Sequence, residues 1–169
     1  MLAYARGEAA AFEALYKRHR GALYRFMLRS IKQRAVAEEL FQEAWIRVIG
    51  SRSRYSPQAR FTTWLYTIAH NLLVDHWRRK GLTLVQLDED AMLAAPDNPA
   101  RQVEARESLA RLLQAIEALP AAQREAFLLH EEAGLSVAEI AAVTGAGEEA
   151  AKSRLRYAMA KLKAAVDDG

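Results

Sequence analysis

The sequence predicts an all-α protein of two small helical domains joined by a flexible linker, and three observations predict it. Apolar residues recur at helical spacing in both halves, and no stretch alternates long enough for a strand. An interval with two prolines and an acidic cluster, but no sustained apolar period, separates the halves. The resulting divisions are a first domain over residues 1–80, a linker over 81–104 and a second domain over 105–169.

The first helix is expected over about 8–31, where Phe12, Leu15, Tyr16, Ala22, Leu23, Phe26 and Met27 share one face. In the next helix Ala37, Leu40, Phe41, Ala44, Trp45 and Val48 form a buried stripe, leaving Glu38, Glu39, Gln42, Glu43 and Arg47 outside. That acidic surface is either a solvated face or a contact for a basic protein surface; it does not suit DNA. Residues 50–60 read as a loop, with Pro57 and the cations Arg52, Arg54 and Arg60. A third helix over 61–80 carries Phe61, Trp64, Tyr66, Asn71 and Trp77 and ends in Arg78, Arg79 and Lys80. Rings interleaved with cations and amides suit single-stranded nucleic acid, because unpaired bases stack on rings while cations follow the backbone. About half of these rings are expected in the core, with Trp64 and Trp77 assigned to neither side. The linker holds Gly81, Pro96, Pro99 and the acids Asp88, Glu89 and Asp90, with a short extended piece possible at 83–87.

Helical spacing resumes at Leu109, Leu112, Leu113 and Ile116 and ends near Leu119; Pro120 suits a following first turn, with Ala126, Phe127 and Leu129 packing beneath a helix-turn-helix. Ser136 and Glu139 form a capping box, and Leu135 with Ile140 form a hydrophobic staple. Gly145 supplies a left-handed cap and Gly147 the next N-cap, while Glu148 and Glu149 suit the positive end of the last helix. In that helix Ala151, Leu155, Ala158, Met159, Leu162 and Val166 are expected to pack inward. The outer strip carries Glu149, Ser153, Arg156 and Tyr157, flanked by Lys152 and Lys163 on one side and Arg154 and Lys161 on the other. Such a strip suits base edges with phosphates beside it. The alternative is an ordinary helical hairpin with a solvated charged face.

Charge is unevenly distributed. Residues 1–80 hold fifteen basic and six acidic side chains, 81–108 hold two and six, and 109–169 hold seven and nine, for net charges of +9, −4 and −2. A helix-turn-helix acting alone would concentrate its cations around the reading helix, so a second, N-terminal region is expected to meet a polyanion. The sequence has no cysteine, which excludes disulfides and cysteine zinc sites. The longest uncharged run, 61–74, is shorter than the ~18 apolar residues of a membrane span, so no membrane insertion and a cytoplasmic location are expected. His70 and His76 are six apart and point to different sides of one helix, and with Asp75 they make no ligand cluster; no metal, no cofactor and no catalysis through His19 or His130 are expected.

Taken together, several motifs resemble those of bacterial RNA polymerase sigma factors of the extracytoplasmic-function (ECF) group. The run Ala37, Glu38, Glu39, Leu40, Phe41, Gln42, Glu43, Ala44, Trp45 resembles the family's polymerase-docking region. Phe61, Thr62, Thr63, Trp64 through Asn71 and on to Asp75, His76, Trp77, Arg78, Arg79 resembles its promoter-melting segment. Leu119, Pro120, Arg124, Gly134, Leu135, Ser136, Glu139, Ile140, Ala141 and Lys152, Ser153, Arg154, Leu155 resemble its upstream-box reader.

The resemblance implies a set of partners and roles. Core polymerase would be bound through the clamp helices of its largest subunit and through its beta flap, with Glu38, Glu39, Gln42, Glu43 and Arg47 on the docking side. Duplex DNA at the minus thirty-five box would meet Glu149, Lys152, Ser153, Arg154, Arg156 and Tyr157. Melted DNA at the minus ten box would meet Trp64, Asn71, Arg78 and Arg79, with a flipped base received by a loop bearing Arg52, Arg54, Tyr55, Gln58 and Arg60. The acidic linker would lie along the polymerase. With the sequence ending soon after Val166, regulation is expected from an anti-sigma protein. Glu148, Glu149, Ala150 and Ala151 depart from the small or hydroxyl residue followed by Thr-Val of many relatives, which bears on upstream sequence preference. The rival reading is an autonomous helix-turn-helix regulator that works without polymerase.

Overall fold

A short helix α1 (Leu2–Ala5), which the apolar spacing does not predict, precedes α2 (Ala9–Ser30) and α3 (Arg34–Gly50). The structure, a computed structural model, describes residues 1–81 and 103–167. A single 3-10 turn (Arg52–Arg54) follows α3, and α4 (Phe61–Arg79) completes the first half. The second half holds α5 (Val103–Glu117), α6 (Ala121–Ala133), α7 (Val137–Thr144) and α8 (Glu148–Asp167). Every regular element among the described residues is helical, as the spacing predicts. Most of the expected linker, with its piece at 83–87, lies outside the described residues.

The α3 stripe is buried as expected at Ala37, Leu40, Ala44, Trp45 and Val48, with Phe41 half-buried at its edge. Of the α4 rings, Tyr66 and Trp77 are buried while Phe61 and Trp64 are half-buried, so the helix divides its aromatics evenly. Tyr66 meets Phe26 of α2 edge-on, with centroids 5.2 Å apart. Pro120 stands at the N-cap of α6 and not within its first turn. In α8 the buried stripe is Ala151, Ala158 and Leu162 with Leu155 half-buried, whereas Met159 and Val166, expected inside, are 43% and 45% exposed. Met159 lies roughly 70° round the helix from that stripe, beyond the reach of the helices packed on it.

The two halves also share a face. Helices α2 and α4 pack on α6, and α4 packs on α7, so one continuous buried cluster runs through both halves. Three glutamates seven residues apart line this contact. Glu125 is buried and its Oε1 lies 2.5 Å from His70 Nδ1. A carboxylate only accepts, so this ring nitrogen carries the hydrogen. Glu132 accepts from Arg25 Nε at 2.9 Å and Arg29 Nη1 at 2.8 Å. Glu139 accepts from Thr63 Oγ1 at 3.0 Å and lies 3.2 Å from Arg60 Nε. The net positive first half is thus met by acids of the net negative second.

Candidate nucleic-acid and docking surfaces

The outer face of α3 follows from the stripe beneath it. Glu39, Gln42 and Arg47 are exposed and Glu38 and Glu43 are half-buried. Glu38 Oε1 accepts from Arg34 Nε at 2.8 Å and from the Tyr24 hydroxyl at 3.3 Å, and the Arg34 bond holds the Glu38 carboxyl below its ordinary range. Arg47 Nε donates to Glu43 at 3.0 Å. Interleaved with these groups, Ile46 is 60% exposed and Ile49 43% exposed. Sequence reasoning missed both, although each falls off the apolar stripe of the helix and could have been recognised by that. An acidic and amide face that also exposes Ile46, with Ile49 at its C-terminal end, has the mixed apolar and polar composition of a protein contact.

A second surface lies on the loop 50–60 and the N-terminal end of α4. Arg52, Arg54, Gln58 and Arg60 are exposed, while Tyr55 is half-buried. Tyr55 packs edge-on against Trp64 with centroids 5.0 Å apart, and burial raises its hydroxyl pKa. Trp64 in turn lies 5.8 Å from Phe61. Asn71, Arg78 and Arg79 are exposed further along α4, with Arg78 paired to Asp75. His76 is held below its ordinary pKa, chiefly by burial and then by Lys80 and Arg79. Rings at one end and cations at the other form a continuous element of the kind that follows an unpaired strand. Arg60 is committed elsewhere in this arrangement. Its guanidinium donates to Thr62 Oγ1 at 3.2 Å and to the Gly134 carbonyl at 3.4 Å besides facing Glu139. His70, weighed as a metal ligand, is bound to Glu125.

The helix-turn-helix is built by its caps. Glu139 N donates to Ser136 Oγ at 3.2 Å and Ser136 N donates to Glu139 Oε2 at 2.9 Å, so the capping box is complete. The Ser136 amide is the main reason the Glu139 carboxyl titrates below its ordinary range; Thr63 and Arg60 add to it. Leu135 and Ile140 are both buried beside the box. Gly145 ends α7 at φ 68°, a left-handed conformation that costs glycine little and lets α8 cross at once. Helix α8 rests on α5, α6 and α7 and leaves Glu149, Lys152, Arg156 and Tyr157 exposed. Arg156 stacks over Tyr157, its guanidinium carbon 5.1 Å from the ring centroid. Ser153 and Arg154 are half-buried. The exposed strip combines an acid, two cations and a phenol on one helix face. These side chains supply the donors and acceptors that base-edge recognition uses, with a lysine beside them of the kind that pairs with phosphate.

Among the described residues no group of three or more His, Cys, Asp and Glu side chains is placed to hold a metal ion. Nor, among those residues, is any helix long and apolar enough to cross a membrane.

Comparison with known proteins agrees in both halves. Residues 15–83 match the family Sigma-70 region 2, and residues 109–162 match the family Sigma-70, region 4. The chain is 36% identical to RNA polymerase sigma factor CarQ of Myxococcus xanthus, over 93% of this chain and 90% of that protein. It is 32% identical to ECF RNA polymerase sigma factor SigL of Mycobacterium tuberculosis, over 94% of this chain and 90% of that protein. The fold is that of the sigma factor RpoE crystallised with the anti-sigma factor NepR from Bartonella quintana, with a TM-score of 0.71 at 23% identity, covering 93% of this chain and 97% of that one.

Proposed function

This chain belongs to the extracytoplasmic-function group of the sigma-70 family of RNA polymerase sigma factors, and from that premise we propose that it binds core polymerase, directs it to promoters and promotes their melting. The observation that carries the proposal is the combination in one chain of regions 2 and 4. The face of α3, with Glu38, Glu39, Gln42, Glu43 and Arg47 around Ile46 and Ile49, docks on the clamp helices; region 4 meets the beta flap. Exposed strip residues Glu149, Lys152, Arg156 and Tyr157 read the minus thirty-five box, supported by Ser153 and Arg154. The loop bearing Arg52, Arg54, Tyr55, Gln58 and Arg60 receives a base of the minus ten box, and Trp64, Asn71, Arg78 and Arg79 follow the melted strand. The protein is no enzyme itself; it aims one, in the cytoplasm where the polymerase works. An anti-sigma protein holds it in reserve.

The contact between the halves belongs to that reserve. Boxes about 25 base pairs apart are separated by roughly 85 Å of duplex at 3.4 Å per step. A compact chain of this length is about 40 Å across. A molecule with α2 and α4 against α6 and α7 therefore cannot occupy both boxes, and it opens along that face when it acts. In the packed form Thr63 and His70 of the melting segment and Arg60 of the loop are occupied by glutamates.

Gel shifts with duplex promoter, with and without core polymerase, test the assignment. Specific binding only in the presence of core supports it; tight, specific binding by the chain alone would make it an autonomous helix-turn-helix regulator.

A further inference from the structure

The loop 50–60 is staked at two points by aromatic side chains, and one stake comes from a helix that none of the recognised motifs includes. Helix α1 packs against both α2 and the 3-10 turn Arg52–Arg54. Its one buried residue is Tyr4, at 8% exposure. The Arg52 guanidinium carbon sits over the Tyr4 ring, 5.5 Å from the centroid. The Tyr4 ring lies 5.0 Å from Phe12, and Phe12 meets Trp45 edge-on at 5.9 Å. A chain of rings thus runs from the turn into the core beneath α3. The turn that folds α1 back requires Gly7, whose φ is 101° and whose amide donates to the Tyr4 carbonyl at 2.9 Å. At the middle of the loop Tyr55 is held by Trp64. Between the two stakes Ser53 and Arg54 are exposed, and beyond them Gln58.

We propose that Tyr4 is a positioning residue for downstream-box recognition: by stacking under Arg52 it sets where the 3-10 turn presents its cations, so that base preference depends on a side chain that touches no DNA. This rests on the reading of the loop as the base receiver. Arg52 is free to swing on an exposed turn, and a guanidinium over a ring surrenders that freedom before a base arrives. The ordering cost then falls on folding and not on recognition, and the guanidinium meets every base from one fixed position, where only some bases offer it an acceptor.

The test uses the full chain with core polymerase and a promoter library randomised in the downstream box. Wild type is compared with Tyr4→Phe, Tyr4→Leu and Arg52→Ala. Tyr4→Phe keeps the ring and should keep the wild-type preference. Tyr4→Leu keeps the apolar filling but removes the π face. It should shift relative preference roughly two- to fivefold, the size of one exposed cation–π contact, at the same positions that Arg52→Ala shifts. Core affinity and upstream-box preference should stay at wild-type values in all three. A shift with Arg52→Ala but none with Tyr4→Leu overturns the inference and leaves the loop reading standing. An equal loss on every downstream sequence makes Tyr4 a packing residue and also overturns it. Unchanged preference with Arg52→Ala removes the loop reading, and the inference falls with it.

Discussion

Reversing Glu132 should open the molecule. Its side chain is 7% exposed and sits between two guanidinium groups, Arg25 at 2.8 Å and Arg29 at 2.8 Å. Hydrogen bonds to charged groups contribute about 1.5–3 kcal/mol each when shielded. Arg25 is 52% exposed and Arg29 30% exposed, so solvent screening reduces the two together to about 2 kcal/mol. Losing that changes the ratio of packed to open forms about 30-fold. Glu132→Arg adds like-charge repulsion and shifts the ratio further, most strongly at low salt, where the Debye length approaches 30 Å at about 0.01 M. The absence of native cysteine makes the assay direct. Cysteines placed at the exposed positions Lys32 and Ala164 take a donor and an acceptor dye, one on each half. The expected result is a longer mean distance in Glu132→Arg than in wild type, partly reversed by Arg25→Glu with Arg29→Glu. Identical distance distributions at low salt would refute the argument that these ion pairs hold the halves together.

Other perturbations separate the surfaces. Ile46→Ser on α3 should weaken core binding by about 1 to 2 kcal/mol, the value of burying a large part of that side chain, with no change in melting temperature; Glu43→Lys should also weaken it. Unchanged core affinity in both, measured by titration of labelled protein, would remove the docking assignment. Arg156→Ala should cost ~1 to 3 kcal/mol at one position of the upstream box and relax preference there; a uniform loss on all sequences would make it a phosphate contact. Ser136→Ala should lower stability by ~0.5 to 2 kcal/mol in urea titration through loss of the cap, and no change would mean the box is dispensable. The pH dependence of Glu139 has a defined sign. Its folded pKa lies below the unfolded value of about 4.3, so its stabilisation is complete above that value and drains away as pH falls through the folded one. The stability gap between wild type and Glu139→Gln should therefore be present at pH 6 and close in acid; a gap that does not vary with pH would contradict it.

The helices and caps were legible because their causes are local. A stripe such as Ala37, Leu40, Ala44 and Val48 states its own helix, and Ser136 with Glu139 states where one starts. The candidate surfaces were legible to the same depth: what a helix exposes follows from what it buries, which located Gln42, Asn71 and Arg156. The misses are of another kind. Met159 and Val166 depend on how far the neighbouring helices extend over α8, which spacing within α8 does not encode. Helix α1 is too short to show a period, and its anchor is a ring whose partners, Phe12 and Arg52, are distant in sequence. The contact between halves rests on pairs such as His70 with Glu125, 55 residues apart. Glutamates at 125, 132 and 139 repeat every seven residues, and that repeat was visible; the donors opposite them were not, because they come from three separate elements.

The central claim is that this chain aims a polymerase and opens its promoter. Permanganate footprinting of unpaired thymines, on promoter fragments recovered by run-off transcription with purified core enzyme, addresses it most directly. The account predicts new start sites and reactive thymines in the downstream box only when both the chain and core are present, and their loss in Glu43→Lys. Transcripts that do not depend on the chain, or duplex that stays unreactive with both components bound, would contradict it.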